Sequence, residues 1–143
     1  MHDAPGIEKI AIVISENAAA GEAANISACL TAGLAAANSA WAGEPLRDAD
    51  GFESVASSHL PIVVLAANGQ RFATLVEQIE RTVRPAQALV TLFPAYAQSI
   101  HDAHAYWQKH SMLGHRSERF LGIGLAGPKR WVNRLVGSFP LMR

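Results

Sequence analysis

Only one cysteine, Cys29, occurs in the 143 residues, which excludes an intramolecular disulfide and a cysteine-built metal cluster. It stands in an apolar stretch of helical composition, where a free thiol behaves as a small hydrophobe, and burial is expected. An excess of either charge is missing too: twelve Lys plus Arg balance twelve Asp plus Glu. Without net positive charge there is no long-range field to draw the chain to a phosphate backbone, so nucleic acid is disfavoured as a partner. Long hydrophobic runs are also absent. The most nearly apolar stretch, Ala28 to Ala37, is about half of the roughly 20 residues that a membrane span requires. The polar start Met1-His2-Asp3-Ala4-Pro5 lacks the basic and apolar pattern of an export signal. A soluble, cytoplasmic protein with no membrane partner is expected.

Half of the residues are apolar and 17% are charged, a balance far from that of disordered chains. A chain of about this size buries roughly 70% of the surface its unfolded form exposes, enough for one core, so residues 1–143 read as a single domain.

Ile7 to Ile14 is short, β-branched and nearly continuously apolar at its end, as a strand buried on both faces is. Glu22 to Asn38 reads as a helix with Ile26, Leu30 and Leu34 four apart on one face. Its Ala24, Ala28, Ala32, Gly33 and Ala36 allow close approach to a sheet or, alternatively, pairing of helices between subunits. Trp41 to Ser58 reads as a long connection with a turn at Asp50-Gly51. Pro61 to Leu65 is a second strand. Asn68 then caps a helix whose Phe72, Leu75, Val76, Ile79 and Val83 form an apolar stripe. Ala88 to Phe93 is a third strand, stopped by Pro94.

Asp102 to Leu113 has helical composition with a weak pattern, and Gly114 to Arg119 is a polar loop before a fourth strand, Phe120 to Leu125. The final helix takes Pro128 in its first turn and Gly137 as a left-handed stop. Strands alternating with helices predict an α/β fold: a three-layer α/β/α sandwich around a mixed, mainly parallel four-stranded sheet.

Several chemical patterns are set aside on spacing. Gly122, Gly124 and Gly127 spell G-x-G-x-x-G between a strand and a helix, but the chain ends before a second strand and its ribose-binding acid would fit. Close packing of strand against helix accounts for them. His101, His104, His110 and His115 cluster in sequence without metalloprotease spacing, and no metal or cofactor is assigned. Ser99, His101 and Asp102 are too close in sequence to converge as a triad, and no nucleophile elbow is present. Asp48-Ala49-Asp50-Gly51 lacks the closing Glu of a calcium loop and reads as a solvated turn. Lys129, Arg130 and Arg134 bracket Trp131, a combination that can grip nucleic acid. The favoured alternative places Trp131, Val132 and Leu135 in the core and the cations in water.

Taken in order, four segments resemble the domain-of-unknown-function family numbered two thousand, a branch related to type II peptidyl-tRNA hydrolases. They are Lys9 to Ile14, the Gly21 to Leu34 helix, Gly43-Glu44-Pro45-Leu46-Arg47-Asp48-Ala49-Asp50-Gly51, and Gly127-Pro128-Lys129 through to Arg143. The resemblance covers nearly the whole chain. It implies a peptidyl-tRNA hydrolase II-like fold, a mixed four-stranded sheet with helices on both sides. The implied site lies where the turns after strands one and three meet the start of the last helix.

The hydrolases carry a lysine near the start of the first helix and an aspartate after the third strand. Here those positions fall near Ala24 and Ala95, which neither transfer a proton nor hold a phosphate. What remains is Asn25, Tyr96, Gln98, Ser99 and Lys129. This set suits a non-catalytic protein that binds a small molecule or peptide end, or regulates through one, with no catalytic residue assigned. The alternative is an enzyme of unassigned hydrolase chemistry using Lys129, Ser99 or the histidines; retained peptidyl-tRNA hydrolysis is disfavoured. An anionic ligand is expected at Lys129 and the positive end of the last helix. The small-residue first helix and the apolar Phe139-Pro140-Leu141-Met142 tail favour a homodimer.

Overall fold

In the computed structural model, which describes residues 6–114 and 118–143, the β-branched run after Glu8 forms β1 (Lys9–Ser15). Ile10 to Ile14 are completely buried because β1 has a strand on each edge and helices over each face. Alternation sends Ile10, Ile12 and Ile14 to one face and Ala11 and Val13 to the other. The next element, α1 (Ala20–Ala37), buries only the stripe Ile26, Leu30 and Leu34 against the isoleucine face. Cys29 stands beside that stripe and is exposed, which corrects the expectation of burial. An 18-residue helix with three buried side chains leaves most of its circumference to solvent.

On the opposite face lie α2 (Gly69–Arg81) and α4 (Lys129–Val136), the helices with the broadest apolar faces. Phe72, Leu75, Val76 and Ile79 of α2 pack with Trp131, Val132, Leu135 and Val136 of α4 over Ala11, Val13, Ile123 and Leu125. Asn68 caps α2 by accepting a 2.9 Å hydrogen bond from the Arg71 N–H. Val83 lies outside the expected stripe: the helix ends at Arg81, so Val83 falls beyond it and is 90% exposed. Gly137 is right-handed, with φ −61° and ψ −21°. It is required instead for space, since a Cβ there would lie 2.5 Å from the Asn133 carbonyl oxygen.

The remaining strands are β2 (Pro45–Arg47), β3 (Glu53–Val55), β4 (Ile62–Ala67), β5 (Leu89–Pro94) and β6 (Phe120–Gly127). Residues 41–58, expected as a connection with a turn at Asp50-Gly51, contain that turn at the tip of the β2–β3 hairpin. The Asp48 carboxylate closes its turn by accepting from the N–H groups of Asp50 and Phe52 at 2.8 and 2.9 Å, and Gly51 supplies the positive φ. The main sheet has the order β4-β1-β6-β5.

Among the described strands only β1 and β4 of this sheet pair in parallel; β6 runs antiparallel to both β1 and β5. The sheet is mixed, as expected, but the expectation that it is mainly parallel is corrected: one of its three strand pairings is parallel and two are antiparallel. The cause lies between β5 and β6, where the chain makes a 3-10 turn (Ala95–Ser99) and then α3 (Ala103–Met112), none of whose residues is buried. An outlying helix does not carry the chain back across the sheet. Accordingly β6 starts where β5 stops, with the Ala95 N–H donating to the Arg119 carbonyl at 2.8 Å.

Three glycines let α1 and α4 close on β6. A Cβ on Gly122 would meet Ile26 and Leu30 of α1 at 2.7 and 2.9 Å, one on Gly124 would meet Leu34 of α1 at 3.1 Å and Thr91 of β5 at 2.7 Å, and one on Gly127 would meet Trp131 of α4 at 2.8 Å. The apolar tail is used within the chain. Ala66 N–H donates to the Pro140 carbonyl and Met142 N–H to the Val64 carbonyl, so the tail covers the outer edge of β4.

Candidate functional site

β1, β4 and β5 all end at the same end of the sheet. The turn after β1, the first turns of α1 and α2 and the 3-10 turn after β5 are gathered there. Such a crevice outside the carboxyl ends of strands is the usual ligand position of open α/β sheets. Gln98 reaches from the 3-10 turn to α1, its Nε2 donating to Glu22 Oε2 at 2.8 Å. The pair stands between two clefts and lines both.

The smaller cleft, about 280 Å3, is bounded by Ser15 and Asn17 after β1, Gly69 of α2, and Arg119 and Phe120 at the start of β6. The larger, about 590 Å3, runs between α1 and β5 and carries Asn25, Cys29, Phe93 and His101. Glu22 lies in the first turn of α1, where the positive end of the helix dipole favours a carboxylate.

Of the residues expected at the site, Asn25 and Gln98 come together here. Ser99 turns away, its Oγ donating to the Tyr96 carbonyl at 3.0 Å. Tyr96 faces α3: its hydroxyl lies 3.3 Å from His110 Nδ1, its ring is tilted against Tyr106, and the Lys109 ammonium sits 4.9 Å above it. Burial first, then Tyr106 and the Glu118 carboxylate, push the Tyr96 hydroxyl above its ordinary value of 10.0. Burial does the same to Tyr106. Both phenols therefore stay protonated near neutrality and act as hydrogen-bonding groups rather than bases.

Lys129 does not join this group. Because β6 runs antiparallel to β1, its last residue pairs with Lys9, and α4 starts at the opposite end of the sheet. Eight residues of strand separate the two ends, roughly 25 Å. The expected meeting of the first and third turns with the last helix is therefore corrected. The positive end of α4 already faces a carboxylate of the same chain, with the Lys129 N–H donating to Glu8 Oε1 at 3.2 Å.

The histidines also part company. His101 lines the larger cleft, His104 is exposed on α3, His110 meets Tyr96, and His115 is outside the described residues. Among the described residues, no three His, Cys, Asp or Glu side chains gather as a metal site. Arg119, Asn17 and Cys29 were not anticipated at the site. Arg119 had a signal, being the last polar residue before β6, but the antiparallel return that brings it beside β1 is a tertiary feature.

Fold and site define an α/β domain with a mixed sheet and a polar double cleft where three of its strands end. The chain belongs to the family described as "Protein of unknown function (DUF2000)", which it matches over residues 8–143. A solved structure of a protein of unknown function from Agrobacterium tumefaciens is similar in fold, with a TM-score of 0.81 and 23% identity over 94% of this chain and 97% of that one. No curated protein matches. No described helix is long and apolar enough to cross a membrane.

Proposed function

We propose that this is a single-domain, non-catalytic binding or regulatory protein that holds a small molecule or a peptide end in the clefts beside Gln98. The Gln98–Glu22 hydrogen bond carries this reading, because it joins α1 to the turn after β5 and divides a polar crevice at the ends of three strands. Asn17, Asn25 and Gln98 offer neutral donors and acceptors. Glu22 and Arg119 line the smaller cleft with opposite charges, and among the described residues no ion pair joins them. That arrangement suits a zwitterion such as an amino acid or a peptide end. A thermal-shift screen of amino acids, dipeptides and small carboxylates is the test. A ligand at a hundred times its Kd is expected to add about 2.7 kcal/mol, and Glu22→Ala and Gln98→Ala are expected to remove the effect. No stabilising ligand, or a shift that survives both substitutions, overturns the proposal.

The scaffold is read as a variant of the type II peptidyl-tRNA hydrolase fold, supported by the mixed sheet and the closing β6–α4 unit. Ala24 and Ala95 stand near the positions of that group's lysine and aspartate, so the purified protein is expected not to release peptide from peptidyl-tRNA. Robust release would show that the chemistry has moved to other residues.

An enzyme of unassigned hydrolase chemistry is the second reading, and one observation favours it: Cys29 and His101 line the same cleft. Turnover of an activated ester, abolished by Cys29→Ala, would establish it. The exposed Ala24, Ala28 and Ala32 along α1 support a homodimer, checked by light scattering coupled to gel filtration. The single free thiol fits a reducing, cytoplasmic location.

A further inference from the structure

A second concavity lies on the other helical face, between α2 and α4. It measures about 450 Å3, within the range of small-molecule sites, and among the described residues no acidic side chain lines it. Its walls carry Asn68, Arg71, Thr74 and Gln78 from the start and exposed face of α2, and Arg134 and Ser138 from the end of α4. In a chain of zero formal charge, two guanidinium groups in one groove without a lining carboxylate are a local positive field. Glu77, on the neighbouring surface of α2, is engaged by Arg81 at 2.6 Å.

Arg71 is held in place. Its guanidinium stacks 4.8 Å above the Phe139 ring, and one Nη1 donates to the Ser138 carbonyl at 3.4 Å. A guanidinium has five N–H donors in a planar fork, so most remain for a ligand. The Arg134 guanidinium has no acceptor among the described residues.

We infer that the groove between α2 and α4 binds the phosphate group of a small organic phosphate, with Arg71 and Arg134 gripping the phosphate oxygens and Thr74, Gln78 and Asn68 contacting the polar body. Two like charges sharing a concavity repel, and a dianion between them converts that repulsion into charge-assisted hydrogen bonds. A nucleic acid fits less well. Trp131 is buried in the core and Phe139 is covered by Arg71, so neither ring is free to stack a base. The groove shares no charged residue with the clefts at the sheet end.

Titration of the full chain with inorganic phosphate, ribose phosphate and a single-stranded oligonucleotide, followed by NMR amide shifts and calorimetry, tests this. Ribose phosphate is expected to bind at millimolar concentration or better, moving amides around Arg71 and Ser138. Arg134→Gln and Arg71→Gln are each expected to weaken binding by about tenfold or more. Arg130→Gln removes the same charge one turn away, outside the groove, and is expected to leave affinity unchanged. Melting of Arg134→Gln at the wild-type temperature establishes that it is folded. No shift with either small phosphate, tighter binding of the oligonucleotide than of ribose phosphate, or equal weakening by Arg130→Gln overturns the inference.

Discussion

Gln98 donates its side-chain amide to the Glu22 carboxylate at 2.8 Å, although 76 positions separate the two in sequence. One residue lies in the first turn of α1 and the other in the 3-10 turn after β5. The bond therefore reports how the ends of β1 and β5 are brought to one rim, and it shapes both clefts there. Solvent reaches both groups. Gln98→Ala and Glu22→Ala are each expected to cost less than about 1 kcal/mol, with a coupling near 0.5 kcal/mol in a double-mutant cycle. Denaturant melts of the two single variants and the double variant measure it.

Leu75 and Ile79 are buried between α2 and the sheet. Truncation of either to Ala is expected to destabilise by about 2 to 5 kcal/mol. Val83, which shares their spacing but lies beyond the helix end, is expected to change stability by less than about 0.5 kcal/mol on substitution by Ala. The contrast, read from urea unfolding midpoints, separates helical spacing from actual burial.

Gly122 and Gly21 make an opposed pair of substitutions. A Cβ on Gly122 meets Ile26 and Leu30 at 2.7 and 2.9 Å, and Gly122→Ala is expected to cost about 1 to 3 kcal/mol. Among the described residues nothing lies within 4 Å of a Cβ on Gly21, in the first turn of α1. Gly21→Ala is expected to add about 0.5 to 1 kcal/mol. Thermal melts that move both variants in the same direction would contradict the α1–β6 contact.

Tyr96 gives a prediction for alkaline pH. Its folded pKa lies above the ordinary 10.0, chiefly through burial, so above that pH the unfolded chain loses its proton first. The stability associated with the neutral phenol is full below the unfolded value and is lost as pH rises through the folded one. Unfolding free energy is expected to fall between about pH 9 and pH 11, and Tyr96→Phe to flatten part of that fall. Tyr106, shifted in the same direction, supplies a further part. Chemical denaturation repeated across that range checks the slope.

Much of the fold was legible because each core element carries its own periodic signature. β1, β4 and β5 appear as short apolar runs, and α2 as an apolar stripe opened by Asn68. The weak pattern of residues 102–113 was itself a signal, since α3 buries nothing; counting it as a layer is what made the sheet look mainly parallel. The exposed β2–β3 hairpin carried no burial pattern to read. At the site, Asn25 and Gln98 were recognisable as polar residues in the right turns, whereas Lys129 was assigned to the wrong end.

Local chemistry written along the chain was enough to locate the strands of the main sheet and the helices that cover it, and to determine where Asn68 caps and that Trp131, Val132 and Leu135 face the core while Lys129, Arg130 and Arg134 face water. Such choices depend on neighbours within a turn or a pleat. The direction of β6 depends instead on how the whole segment after β5 packs, and it decides which cations reach the site. Reversing that one strand carries Lys129 to the far end of the sheet, brings Arg119 beside Ser15, and leaves Gln98 to close on Glu22. No periodicity encodes such a pairing, because its free energy resides in contacts between residues distant in sequence.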